Sequence, residues 1–238
     1  MTDITKLLEG KYFYYENKNP YSEENFQVSK EDKSQGNYFF NAQTNTRVKT
    51  GEFLKVDIKY TLNGEFEPLE VEITRLLGGN KSTELFLVDN KKSEVVYKFI
   101  NDQSEDIFSK IVSGRFHFAT PCFSLSMLMT HMRKIDPVHR TPYTIITSKN
   151  IWNYNAPFTE EEIYVELQSL DPAKINISGK ELKATHCKLL QVDENGTIAT
   201  EGHDIYLSKY FSIPYYGRFS DSLKIEIDRL KNFESQRI

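Results

Sequence analysis

The sequence holds seven imidazole and thiol side chains, the types most used to bind transition metals, move protons near neutral pH or attack carbonyls: His117, His131, His139, His186, His203, Cys122 and Cys187. A helical zinc pair needs two histidines four apart, and a thiolate site needs cysteines at short spacing. Neither pattern occurs, so no metal site is assigned. His203 and Asp204 are adjacent, which on a strand sends their side chains to opposite faces. Cys122 follows Pro121 at the start of a helix-like stretch, and a helix N-terminus lowers a thiol pKa. With His117 and His131 nearby, a Cys–His nucleophile is one reading, which would make the chain a hydrolase or isomerase. The competing reading is a small thiol buried between Pro121 and Phe123. Glu160-Glu161-Glu162 reads as a solvated charge run, because paired carboxylates for hydrolysis must face each other across a cleft. Asn80-Lys81-Ser82, Asn176-Ile177-Ser178 and Asn195-Gly196-Thr197 match the glycosylation triplet. No catalytic residue and no cofactor follows from any of these.

The segment from Gly114 to Met132 is the most distinctive. It holds Met127, Met129 and Met132, every methionine except the first residue, together with Phe116, Phe118 and Phe123. Methionine adapts its shape to apolar partners. Two readings compete: a plug filling a core, or one wall of an apolar pocket. In the second, the lining is Phe116, Phe118, Phe123, Met127, Met129, Trp152 and Tyr154, and the polar points are Arg115, His117 and His131. Trp152 is the sole indole, so its fluorescence would report such a ligand.

The elements around this segment are β. Phe53 to Tyr60 alternates apolar residues with Lys55, Asp57 and Lys59, and Leu69 to Ile73 alternates with Glu70 and Glu72; both are half-buried strands. Asn63-Gly64 and Asn195-Gly196 signal hairpins. Further strands are read at 11–16, 37–42, 84–88, 94–100, 107–112, 143–147, 162–170, 174–178, 181–193, 204–208 and 223–230. Residues 1–9 read as one or two helical turns. Pro121 and Pro137 bracket a helix of about three turns over 121–135. The fold class is therefore mainly β: a long antiparallel meander curled into a barrel or half-barrel with one central helix. The whole chain, 1–238, reads as one domain, with β segments 10–113 and 140–231 flanking the helix.

Apolar residues make up 39% of the 238, aromatic residues 13% and charged residues 27%, with a net charge of −4. The acidic balance argues against nucleic acid as a partner, since phosphate recognition requires a basic surface. No stretch has the roughly 18 apolar residues of a transmembrane segment. The N-terminus shows no signal peptide, so a cytoplasmic location is read, or a periplasmic one if a signal has been removed. The oligomeric state is open.

After the helix come Thr141-Pro142-Tyr143, Ile177-Ser178-Gly179-Lys180-Glu181-Leu182-Lys183-Ala184, then Asp204-Ile205-Tyr206-Leu207-Ser208, Ile213-Pro214 and a last strand. This order resembles the DUF3108-type proteins of the LolA-like lipoprotein-carrier superfamily, over the second half of the chain. The resemblance implies an incomplete β-barrel closed by helices, an apolar interior for lipid-like ligands, export, and no catalytic residues. The combined expectation is a non-enzymatic carrier or binding protein for an apolar or amphiphilic small molecule such as a lipid. The alternatives are the hydrolase or isomerase above and a protein-protein interaction module that pairs exposed strands with a partner.

Overall fold

The structure is a computed structural model that describes residues 3–193 and 195–233. Eight strands open the chain: β1 (Ile4–Glu16), β2 (Asn19–Glu31), β3 (Tyr38–Arg47), β4 (Phe53–Leu62), β5 (Pro68–Leu77), β6 (Asn80–Asp89), β7 (Glu94–Asn101) and β8 (Glu105–Ile111). A crossing segment follows, with β9 (Phe116–Phe118), a 3-10 turn (Phe123–Leu125) and a single-turn helix α1 (Met129–Met132). The chain then forms β10 (Thr141–Thr147), β11 (Thr159–Leu167), β12 (Ala173–Ile177), β13 (Lys180–Gln191), β14 (His203–Leu207), β15 (Pro214–Arg218) and β16 (Leu223–Asn232).

One sheet runs β8-β7-β6-β5-β4-β3-β2-β1-β16-β15-β14-β13-β11-β10-β9, with β12 attached to β13 alone. The first and last strands pair in its middle, so its two edges, β8 and β9, are neighbours in sequence. The pairing is antiparallel throughout except for β9 on β10. Alternation sets which face is inside. In β4, Val56, Ile58, Tyr60 and Leu62 are buried while Lys55, Asp57 and Lys59 are not. Gly10 on β1 lies opposite Phe26, and an added Cβ would stand 2.3 Å from that ring, so the glycine gives the ring its place.

The ladder does not close into a barrel. Edge strand β9 instead tucks inside the curl. Phe116, His117 and Phe118 are all buried, and the Phe118 ring lies 6.2 Å from Tyr60 of β4 and 4.7 Å from Phe86 of β6. Side chains bridge the remaining seam. Phe158 packs 5.4 Å from Phe108, Lys110 pairs with Glu160 at 2.6 Å, and Asn101 Nδ2 donates to the Trp152 carbonyl at 3.0 Å. On β8 the Val112 N–H donates to the Ser93 carbonyl, so by alternation the backbone groups of Ile107, Ser109 and Ile111 face the open side. An interaction module working by strand addition requires such an edge.

Several expectations change. Residues 4–9 are strand rather than helical turns; Met1 and Thr2 lie outside the described residues. The three-turn helix over 121–135 is a 3-10 turn plus one turn of α-helix. Its backbone bonds run mostly to the third residue back, as from Ser126 N–H to the Phe123 carbonyl and from Thr130 N–H to the Met127 carbonyl. The Ser126 and Thr130 hydroxyls donate to those same carbonyls, a local competition that disfavours a regular helix. Strands β2, β9 and β15 were not anticipated. In β2 the inward positions Ser22 and Glu24 are polar, which hides the period that Phe26 and Val28 continue.

Glu24 fixes the crossing segment. It is fully buried, and its carboxylate accepts the Phe123 N–H at 2.7 Å, the Ser124 N–H at 3.0 Å and the Tyr14 hydroxyl. Burial raises its pKa, while these donors act in the opposite direction. A carboxyl raised on folding contributes stability at low pH that is lost as pH rises from the unfolded toward the folded pKa. Glu24→Ala would strand three buried donors, and in urea denaturation it is expected to lower stability by about 3 kcal/mol or more. Glu24→Gln keeps one acceptor, should cost less than Ala, and should remove the Glu24 contribution to that pH dependence. Equal stability of Glu24→Ala and the wild type would contradict the assignment.

Candidate functional site

Where the crossing segment enters and leaves the interior, at the end of the sheet carrying the β8–β9 loop, a pocket of about 550 Å³ opens between β9, α1, β10 and β11. That volume falls within the roughly 300–1,000 Å³ of small-molecule sites. Its floor is Phe116, His117, Met129 and Tyr143, all buried, with Met132 half-buried. Its rim includes the exposed Arg115, Arg133 and Glu162. Gly114, at φ +78°, supplies the left-handed turn that leads Arg115 into β9. The rim near Arg133 is tied to β10, because the Tyr143 hydroxyl donates to the Arg133 carbonyl at 2.6 Å and Arg133 Nη1 donates to the Pro142 carbonyl at 3.2 Å.

His117 is the chemically notable residue. The Phe118 N–H donates to the Tyr60 hydroxyl oxygen at 3.1 Å, and that hydroxyl lies 3.0 Å from His117 Nδ1. Full use of both groups requires Tyr60 to donate and Nδ1 to accept, which puts the imidazole proton on Nε2. Nε2 is buried and has no partner among the described residues. Desolvation pushes the imidazole pKa down to about 3, so His117 is a neutral donor at ordinary pH. A buried donor without an acceptor costs free energy.

The structure gathers Arg115, Phe116, His117 and Met129 from the anticipated lining and disperses the rest. Phe118 packs on Tyr60 and Phe86; Phe123 lies 5.4 Å from Tyr12 and 5.8 Å from Phe219; Met127 is fully buried in the core. Trp152 and Tyr154 belong to the β10–β11 loop at the opposite end of the sheet, with Tyr154 against Tyr97 and Phe99. Trp152 fluorescence therefore cannot report this pocket. His131 sits outside it, its ring 4.4 Å from Phe66 and 5.4 Å from Phe211. Arg133, Met132, Tyr143 and Glu162 were not anticipated as lining. Arg133 and Met132 were visible at the end of the helix-like run, but Tyr143 and Glu162 reach the pocket only through the β9–β10–β11 register.

No Cys–His pair is assembled. Among the described residues no hydrogen bond joins Cys122, His117 and His131, and burial together with the Glu24 charge pushes the Cys122 thiol pKa well up. Two other concavities carry polar side chains that are already paired with one another. One of about 620 Å³ on the outer face of β1–β6 is lined by polar groups already paired, such as Gln43 with Asp57 and Lys59 with Glu72. Another of about 540 Å³ contains the mutually paired Arg75 and Glu84, the latter also accepting the Tyr97 hydroxyl at 2.8 Å. Among the described residues no cluster of three His, Cys, Asp or Glu side chains could hold a metal ion.

No family model matches the chain, and no curated protein matches it in sequence. Among solved structures it is similar to a beta-barrel-like protein of the domain of unknown function DUF1849 from Brucella abortus. The TM-score is 0.55, over 96% of this chain and 98% of that one, at 8% identity. That likeness shows a barrel-like fold; no family model supports the DUF3108 or LolA-like resemblance.

The tautomer and charge of His117 can be read by long-range proton–nitrogen NMR. The His117 ring is expected to show a protonated Nε2 and no titration across roughly pH 5–8, where an ordinary histidine changes charge. A midpoint for this ring inside that interval, or a protonated Nδ1, would contradict the geometry.

Proposed function

We propose that the protein binds a small apolar or amphiphilic molecule in the pocket between β9, α1, β10 and β11, without chemically altering it. The observation that carries this reading is the pocket's composition: a floor of Phe116, Met129, Met132 and Tyr143 with one unpartnered buried donor, under a rim of Arg115 and Arg133. An apolar floor under a polar rim suits a molecule with an apolar body and a polar end. The methionines add adaptability to ligands of varied shape. The neutral His117 and the protonated Cys122 favour binding over catalysis, since neither is poised as a base or nucleophile near neutral pH. A barrel-like fold is compatible with a carrier role.

The test is titration with an uncharged naphthylamine dye whose emission rises in apolar surroundings. The wild type should bind one dye saturably. Met132→Trp, which adds bulk to a half-buried position in the pocket, should weaken binding on the order of tenfold or more while leaving the melting temperature nearly unchanged. Absence of saturable binding, or equal binding by both proteins, would overturn the assignment.

A further inference from the structure

We infer that the pocket selects amphiphiles with an anionic head, a carboxylate or a phosphate. This rests on the reading of the pocket as a ligand site and specifies what that ligand carries. Three observations bear on it.

The first is unspent positive charge. Among the described residues Arg115 and Arg133, like Arg47 and Arg229, form no ion pair, whereas Arg75, Arg140 and Arg218 are paired with Glu84, Glu166 and Asp221; only Arg115 and Arg133 share one pocket with a single acid. Arg133 donates to a backbone carbonyl through Nη1 only, leaving most of its planar donor fork unspent. The pocket lining holds two arginines and one acid, Glu162, so its formal charge is 2 − 1 = +1. Glu162 already accepts the Tyr164 hydroxyl at 2.5 Å. The chain as a whole carries a net charge of −4, so this rim has the opposite sign.

The second is the sign of the buried polar point. The Nε2 of His117 lacks a partner and, by the tautomer argument, carries the proton. Within β9 the His117 side chain leaves the opposite face of the strand from Phe116, so a bound acceptor meets this donor only if the ligand head reaches that face. The third is geometry. Arg115 immediately precedes β9 and Arg133 immediately follows α1, so the two guanidinium groups belong to the two ends of the segment whose Phe116 and Met129 line the pocket. An arginine fork matches carboxylate and phosphate oxygens in two parallel hydrogen bonds. An alcohol offers no charge to it, and a quaternary ammonium is repelled.

The experiment is displacement of the naphthylamine dye by four probes with the same twelve-carbon tail, below their micelle concentrations: dodecanoate, dodecyl phosphate, dodecanol and dodecyltrimethylammonium. At least one anion should displace the dye at about tenfold lower concentration than dodecanol, and the cation should be weakest. The relative strength of the two anions identifies the head. The double variant Arg115→Gln, Arg133→Gln, at exposed positions, should bring the ratio of anion to dodecanol affinity from about tenfold to about one, whatever happens to the dodecanol affinity itself. If dodecanol matches both anions, or the variant retains the preference, the head-group inference fails while the pocket stands. If neither dye nor probe binds, the pocket reading fails and this inference fails with it.

Discussion

Inside an apolar curl of sheet, an unpaired backbone donor costs roughly 1–3 kcal/mol, and the segment that crosses this interior has no ladder of its own over most of its length. Most of its donors turn back onto its own carbonyls or reach β10, while those of Phe118, Phe123 and Ser124 are received by side chains projecting from the first strands, Tyr14 of β1 sharing the Phe123 N–H. Glu24 takes the N–H groups of Phe123 and Ser124, and the Tyr60 hydroxyl takes that of Phe118. The rest of the architecture follows from this. A sheet whose edges do not meet leaves a hollow, and the chain fills it with Phe116 to Met129. That filling is held by its apolar burial, by pairing with β10, and by a carboxylate and a phenol that wait for it within the curl. Glu24 is thus both a liability and an anchor: its burial opposes ionisation, yet its oxygens face only donors.

The same crossing explains where the pocket lies. The segment cannot fill the mouth through which it enters and leaves, because there it must turn into the β8–β9 loop and out toward β10. The gap that remains has the segment's apolar side chains as its floor and the exposed arginines of its two ends as part of its rim. The plug and the pocket wall, which look like rival readings of the methionine-rich stretch, are successive parts of it. Met127 is wholly core, Met129 lies at the boundary, and Met132 reaches the opening.

The strand rhythm was legible wherever one face is apolar and the other charged, as in β4 and β5, and the curled meander followed from it. It failed where the inward face carries polar residues with structural duties. Ser22, whose hydroxyl bonds to Asn45 and Thr46 of β3, and Glu24, which binds the crossing segment, look like solvent-facing positions in the sequence. The helix was over-extended because proline brackets and an apolar run do not reveal that serine and threonine hydroxyls will take the carbonyls. Of the site, the residues contiguous in sequence, Arg115 to His117 with Met129, were legible. Tyr143 and Glu162 were not, since a parallel pairing of β9 with β10 is set by long-range packing rather than local pattern. The aromatic excess proved mostly structural, with Tyr12, Tyr60, Tyr97, Phe40 and Phe99 among the largest fully buried side chains.

The central claim is that the crossing segment is part of the cooperative core because side chains of β1, β2 and β4 hold its backbone. Native-state amide hydrogen exchange tests this most directly. If the claim holds, the N–H groups of Phe118, Phe123 and Ser124 will exchange as slowly as that of Ile58 in β4, to within about tenfold, through global unfolding alone. Exchange of these three amides about a thousandfold faster than Ile58 would show a segment that opens on its own, and would contradict it.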